Sequence, residues 1–125
     1  MSSEAPAVGE LLPRAAEAFG VRCKLATYSL DLAHKDGGPK ALGFKLILGI
    51  ALPNIDYLVG SIQTGILLAP VNSVRDKSPW GINCVVMVPV RGFREKNDRV
   101  VNVKTAWRFA GPGAPPQLVS AYCRP

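Results

Sequence analysis

The stretch INCVVMVPVRGFREKNDRVVNVKTAWRF, residues 82–109, decides the fold. Its first part, Ile82–Val90, is almost continuously apolar, which is typical of a central β-strand. Its last part, Val101–Phe109, alternates apolar residues with polar or basic ones, which predicts a strand with one buried and one solvent-facing side. The charged segment Arg91–Arg99 predicts a loop between them. These residues therefore predict two neighbouring antiparallel strands.

The segments on either side complete an α+β plan. After the turn Gly111–Pro116, the residues Gln117–Cys123 predict a last strand. Upstream, the spacing of apolar residues predicts helices over Pro39–Leu48 and Asn54–Leu68. The expected fold class is therefore α+β, with N-terminal helices packed on a twisted antiparallel sheet of three to four strands.

The N-terminal part of the chain is less regular. We interpret residues 1–20 as an extension with a short helix over Leu11–Phe19, which Gly20 ends. Residues 21–125 are interpreted as a single α+β domain, since a chain of 125 residues corresponds to one domain. Weak alternation over Val21–Leu30 predicts an extended segment or a short strand.

The composition is that of a basic globular protein. Hydrophobic residues make up 48%, which excludes a disordered chain. Lys and Arg total 15 against 9 Asp and Glu, and the resulting net charge of +6 suits a polyanionic partner. Cys23, Cys84 and Cys123 are widely spaced and odd in number, so we expect free thiols and no disulfide framework, metal site or cofactor.

The sequence also bears on localisation. The first residues lack the basic and apolar regions of a signal peptide, so we expect that any export proceeds without a cleavable one. The most apolar stretch, Leu46–Val71, is interrupted by Pro53, Asp56 and Gln63, so we expect no membrane span. The expected site of action is cytoplasmic.

The first candidate site is the turn before the helix Pro39–Leu48. His34 is the single histidine, and it is a candidate general acid or base because histidine is the side-chain type whose charge ordinarily changes near neutral pH. A solvated loop histidine is the alternative. In Gly37-Gly38-Pro39-Lys40, backbone N–H groups and the lysine ammonium can bind an anion, but the same residues also start an ordinary helix.

The second candidate site is on the predicted sheet. Lys104 and Arg108 form a basic stripe with Asn102 on the polar side of their strand, suited either to a phosphate backbone or to plain solvation. On the last strand, Ser120 and Tyr122, predicted to share a face with Leu118, can orient a phosphate oxygen or make a structural hydrogen bond.

The aromatic residues divide between core and surface. Trp107 and Phe109 lie on the apolar side of Val101–Phe109 and are predicted core residues. For Trp80 and Tyr122 two interpretations remain, namely burial in the core and exposure on a surface that stacks on bases. No motif of serine or cysteine nucleophile catalysis is present.

Two groups of residues resemble a known family. They are Tyr28-Ser-Leu30, His34-x-x-Gly37-x-x-Lys40-Ala41, Phe44 and Leu48-Gly49, and then Val101-x-Val103-Lys104-Thr105-x-Trp107 and Gln117–Tyr122. Together they resemble small uncharacterised bacterial domains that occur beside small partner proteins or as C-terminal modules of secreted polymorphic toxins. That family is similar to the barnase, EndoU, colicin and RelE group of metal-independent ribonucleases.

The resemblance implies an endoribonuclease-type toxin or effector that cleaves RNA through attack of the 2′-hydroxyl. The catalytic residues it implies are His34, Lys40, Thr105 and Tyr122. The expected substrate-binding residues are Lys35, Lys104, Arg108 and Ser120. The expected partners are RNA and a cognate immunity or antitoxin protein, with no DNA and no membrane. The alternative is a non-catalytic module that binds protein or nucleic acid within an effector or a toxin–antitoxin pair.

Overall fold

Three helices precede a four-stranded antiparallel sheet, as a computed structural model shows for residues 5–77, 81–111 and 113–124. The strands lie side by side in chain order and are β1 (Val71–Asp76), β2 (Ile82–Arg91), β3 (Val100–Phe109) and β4 (Gln117–Arg124). The helices are α1 (Val21–Lys24), α2 (Gly38–Gly43) and α3 (Ile55–Gly65). This arrangement confirms the predicted α+β fold.

Shorter helical turns extend the helices. Helix α1 continues as the π-helical turn Leu25–Ser29, and α2 continues as Phe44–Leu48, so the helix predicted over Pro39–Leu48 is confirmed. It ends at Gly49, whose φ of 69° lies in the left-handed region that glycine adopts readily. The single 3₁₀ turns are Ala15–Glu17, Leu52–Asn54 and Arg94–Lys96.

Two of the predicted elements differ from the structure in the N-terminal part. The extended segment predicted over Val21–Leu30 is wrong, because Val21–Lys24 and Leu25–Ser29 are helical. Val21 and Leu25 are buried one helical turn apart, whereas Cys23 is exposed. The residues that pack on the core are therefore four positions apart, as in a helix, and not two, as in a strand. In place of the helix predicted over Leu11–Phe19, there is one 3₁₀ turn.

The segment that precedes α1 contacts both edge strands. At the start of β1, the Gly9 N–H donates to the Val71 carbonyl and the Glu10 carbonyl accepts from the Val71 N–H, at 2.9 and 2.8 Å. Phe19 forms a parallel bridge with the first residue of β4. Between these contacts Leu12 is buried in the core. The segment therefore joins the two outer strands of the sheet.

The helices cover one face of the sheet. Trp107 and Phe109 point into this layer and are buried, which confirms the prediction for both. With Phe44 and Leu48 from the α2 extension and the apolar side of α3, they form one hydrophobic core. We call the other side of the sheet the open face.

A β-bulge in β4 sets which of its residues reach the open face. Trp107 pairs with Leu118 and Ala106 pairs with Ser120, so Val119 is an extra residue between two consecutive pairs. Leu118 is consequently buried on the core side, and the prediction that it shares a face with Ser120 is wrong.

In the described parts of the chain, no single helix is long and apolar enough to cross a bilayer. The pair Gly38–Leu48 and Leu52–Gly65 reaches the necessary length and composition only when both are combined, and a bend of 68° separates them.

Candidate functional site

The turn before α2 is organised by the imidazole of His34. Its Nδ1 accepts the backbone N–H groups of Asp36 and Gly37, each at 3.0 Å. The lone pair of Nδ1 is therefore already used by these backbone groups and is not free to take a proton. This arrangement favours a positioning role for His34 over the role of general base.

The two glycines of this turn allow it to approach the extension of α1 and the residues that follow it closely. A Cβ atom at Gly37 would overlap the carbonyl oxygen of Tyr28, and one at Gly38 would lie 2.8 Å from the carbonyl oxygen of Leu32. The His34 ring also meets the Tyr28 ring edge-on, with centroids 4.9 Å apart. Close packing against Tyr28 therefore explains why glycine occupies position 37.

Lys40 is held by the same tyrosine. Its Nζ donates a hydrogen bond of 2.8 Å to the Tyr28 hydroxyl oxygen, so His34, Gly37 and Lys40, at intervals of three residues, all contact Tyr28. Tyr28 is one of the residues that carry the family resemblance, but no role is predicted for it from the sequence. No periodic pattern connects Tyr28 to a turn that begins several residues later. Its place in the motif Tyr28-Ser-Leu30 is therefore the sequence signal that could have indicated a role for it.

The sheet contributes Tyr122 to this group. Tyr122 on β4 pairs with Lys104 on β3, and the ring centroid lies 5.7 Å from Lys40 Nζ and 5.6 Å from Lys104 Nζ. Hydrogen bonds from Arg124 and from Lys104 lower the pKa of the Tyr122 phenol from its ordinary value of 10.0. We call Tyr28, Lys40, Lys104 and Tyr122 the tyrosine–lysine cluster.

Tyr122 lies between two shallow concavities. One, of about 400 Å³, is bounded by Lys40 and Ile47 of the helical layer. The other, of about 330 Å³, lies on the open face and is lined by Lys104, Ser120 and residues of β1 and β2. A larger groove of about 720 Å³ between α3 and β2 contains none of the predicted site residues. The candidate site is therefore at the edge of β4, where helix α2 meets the sheet.

The structure brings four of the eight predicted site residues to this edge. Lys104, Ser120 and Tyr122 line the same concavity, and Lys40 reaches Tyr122 from the helical layer. Arg108 is exposed at a later open-face position of β3, and Lys35 is exposed in the turn that His34 organises.

Thr105 is not part of the site. Its side chain points to the core and is 0% exposed. Its Oγ1 donates to the Val86 carbonyl at 2.7 Å and accepts from Trp107 Nε1 at 2.8 Å. A phosphate-orienting role for Thr105 is therefore incompatible with its position, and the resemblance does not carry over at this residue.

This buried hydrogen bond gives a first prediction, for Thr105→Val. The substitution keeps the volume but leaves the Trp107 N–H without an acceptor, so we expect the free energy of unfolding to fall by about 1–3 kcal/mol. Urea denaturation followed by tryptophan fluorescence measures the change. Thr64→Val, at an exposed position of α3, is the matched control. Equal stability of the two variants would contradict the structural role of Thr105.

The cysteines and the possible metal ligands form no second site among the described residues. Burial raises the pKa of the Cys84 and Cys123 thiols to about 12, so neither is a thiolate at neutral pH, and Cys23 is an exposed free thiol. Within residues 5–77, 81–111 and 113–124, no three His, Cys, Asp or Glu side chains are grouped closely enough to hold a metal ion. Trp80 lies outside the described residues.

Residues 11–125 match a family model described as a domain of unknown function, DUF6883. Neither a curated protein nor a solved structure matches the chain. The matched residues include all three helices, the whole sheet and the tyrosine–lysine cluster. The chain therefore belongs to the DUF6883 family.

Proposed function

We propose that this domain is a metal-independent endoribonuclease that binds RNA on its open face and cleaves it at Tyr122. The observation that carries the proposal is the surroundings of that phenol. Lys40 and Lys104 place two ammonium groups near its ring, and hydrogen bonds lower its pKa. A phenol that ionises more readily beside positive charge suits both proton removal and the binding of a phosphate.

The reaction follows from these groups. The Tyr122 phenolate takes the proton of a ribose 2′-hydroxyl, and the 2′-oxygen forms a bond to the adjacent phosphorus. Lys104 stabilises the negative charge that develops on the phosphate oxygens. The bond from phosphorus to the 5′-oxygen breaks, and this oxygen receives a proton from the Lys40 ammonium. The products are a 2′,3′-cyclic phosphate and a free 5′-hydroxyl.

In this proposal His34 is a positioning residue. It closes the turn from which α2 begins, and α2 carries Lys40. Tyr28 has the same kind of role, since its hydroxyl fixes the Lys40 ammonium. Both residues restrict the position of the Lys40 ammonium, which is carried by a flexible four-carbon side chain.

Incubation of the purified protein with total RNA in the presence of a chelator tests the proposal. We expect cleavage to fragments with cyclic phosphate and 5′-hydroxyl ends, and expression in a bacterial host should arrest growth. RNA that stays intact while it binds with strong salt dependence would instead identify a binding module without turnover. The basic residues of the open face favour that second candidate, because their attraction for RNA does not require Tyr122.

The pH dependence of cleavage gives a second prediction. If the Tyr122 phenolate is the base, kcat/KM rises about tenfold for each pH unit below the pKa of Tyr122, and the midpoint of this rise is that pKa. Because Arg124 and Lys104 lower that pKa, the midpoint lies below 10.0. Arg124→Gln removes the largest cause of the shift and should move the midpoint upward. A midpoint that is the same in wild type and Arg124→Gln would show that another group titrates.

A further inference from the structure

Three rows of side chains cross the open face perpendicular to the strands. The first row contains the cross-strand pair Lys104 and Tyr122. The second row consists of small side chains, namely Ser73, Val85, Ala106 and Ser120. The third row contains Arg75, Asn83 and Arg108. The small row therefore lies between two rows that carry positive charge.

The dimensions of this arrangement follow from strand geometry. Neighbouring rows are two residues apart along a strand, so the two charged rows are roughly 13 Å apart. The small side chains between them form the floor of the concavity of about 330 Å³. That volume is at the lower end of the range of about 300–1,000 Å³ seen for small-ligand sites, so it accommodates a single small unit.

The charges of the open face have one sign. Among the described residues, no Asp or Glu occupies an open-face position of any of the four strands. Lys104, Arg75 and Arg108 occupy such positions, and Lys77 also lines the concavity. A surface of this kind complements an anion that extends over both sides of the concavity, as the phosphate backbone of a nucleic acid strand does.

We infer that the concavity is a nucleotide subsite for a single strand of RNA. The phosphate that is cleaved lies at Lys104 and Tyr122. The neighbouring base lies on the floor formed by Val85 and Ala106. A later phosphate of the same strand lies at Arg75, which Lys77 assists. This inference rests on the proposed function, which makes RNA the ligand of the open face.

The shape of the concavity explains the selection of single strands. A base reaches the floor between two rows of longer side chains only when it is unstacked and unpaired. In a duplex the same movement requires breaking base pairs and stacking, at a cost of a few kcal/mol. Single-stranded RNA presents its bases without that cost, and the positively charged side chains on both sides of the concavity then bind its phosphate backbone.

Fluorescence anisotropy with a labelled 2′-O-methyl RNA, which has no 2′-hydroxyl to react, isolates binding from cleavage. The single strand should bind more tightly than its duplex. Ala106→Leu fills the floor and should weaken binding about tenfold, the size of one lost base contact, with the salt slope unchanged. Arg75→Gln should lower the slope of log Kd against log salt by about one.

Two control variants make these results specific. Val100→Leu adds volume to the same face of β3 outside the concavity, and Lys45→Gln removes an exposed charge from the helical layer. Both should bind as wild type, and thermal unfolding confirms that every variant is folded. Wild-type affinity in Ala106→Leu, or equal affinity for strand and duplex, would overturn the subsite even if RNA is cleaved. The expected binding pattern without any cleavage would retain the subsite and overturn the proposed reaction.

Discussion

Tyr122→Phe should lower the rate of RNA cleavage by about 10²–10⁴-fold, the contribution of one general acid or base. The substitution removes the phenol and keeps the ring between Lys40 and Lys104, so we expect the loss in kcat with KM nearly unchanged. Initial rates on a defined oligoribonucleotide, at several concentrations, separate the two constants.

Tyr57→Phe is the matched control for this experiment. The Tyr57 hydroxyl donates to the Arg91 carbonyl at 2.7 Å and lies outside the tyrosine–lysine cluster. Its removal should leave kcat unchanged. If Tyr122→Phe cleaves RNA as fast as Tyr57→Phe, the phenol is not the base and the proposed reaction fails.

Gly37→Ala should destabilise the protein by about 1–3 kcal/mol, as other overpacked positions do. The added methyl group meets the Tyr28 carbonyl oxygen, which belongs to the backbone and cannot rotate away. The turn must move, and Lys40 then loses its hydrogen bond to the Tyr28 hydroxyl. Chemical denaturation should therefore show a lower free energy of unfolding, and cleavage assays should show a lower kcat.

Replacing a glycine in open surroundings with alanine should change the stability in the opposite direction. Gly60 lies within α3, and no atom is within 4 Å of a Cβ placed there. Gly60→Ala should stabilise the protein by about 0.5–1 kcal/mol because alanine has the higher helix propensity. If both substitutions stabilise the protein, the close approach of position 37 to Tyr28 is not a constraint.

Much of the fold could be predicted because its central strands have long patterns. The alternation over Val101–Phe109 identified β3 and the correct buried side. Over Val21–Leu30 the pattern is short, and helical spacing fits the apolar residues as well as alternation does. Strand β1 was not predicted, because only Val71 of this edge strand is buried and its other residues carry no hydrophobic period.

The site was predictable in part for similar reasons. The spacing from His34 to Lys40 marked a real structural unit, but its centre, Tyr28, belongs to the preceding helical element. The alternation had already placed Thr105 on the side of Trp107, so its position could be predicted from the strand pattern and contradicted the role that the resemblance implied. The β-bulge at Val119 left no signal, since one extra residue changes no composition or period.

The contact of Phe19 with the start of β4 bears on how the protein is made. A nascent chain that has been synthesised only as far as β3 has neither the strand partner of Phe19 nor Tyr122. Residues from the two ends of the domain must meet before the sheet is complete, and such distant pairings form late in folding. Under the proposed function, an unfinished chain of this domain is therefore inactive toward the ribosome that is translating it.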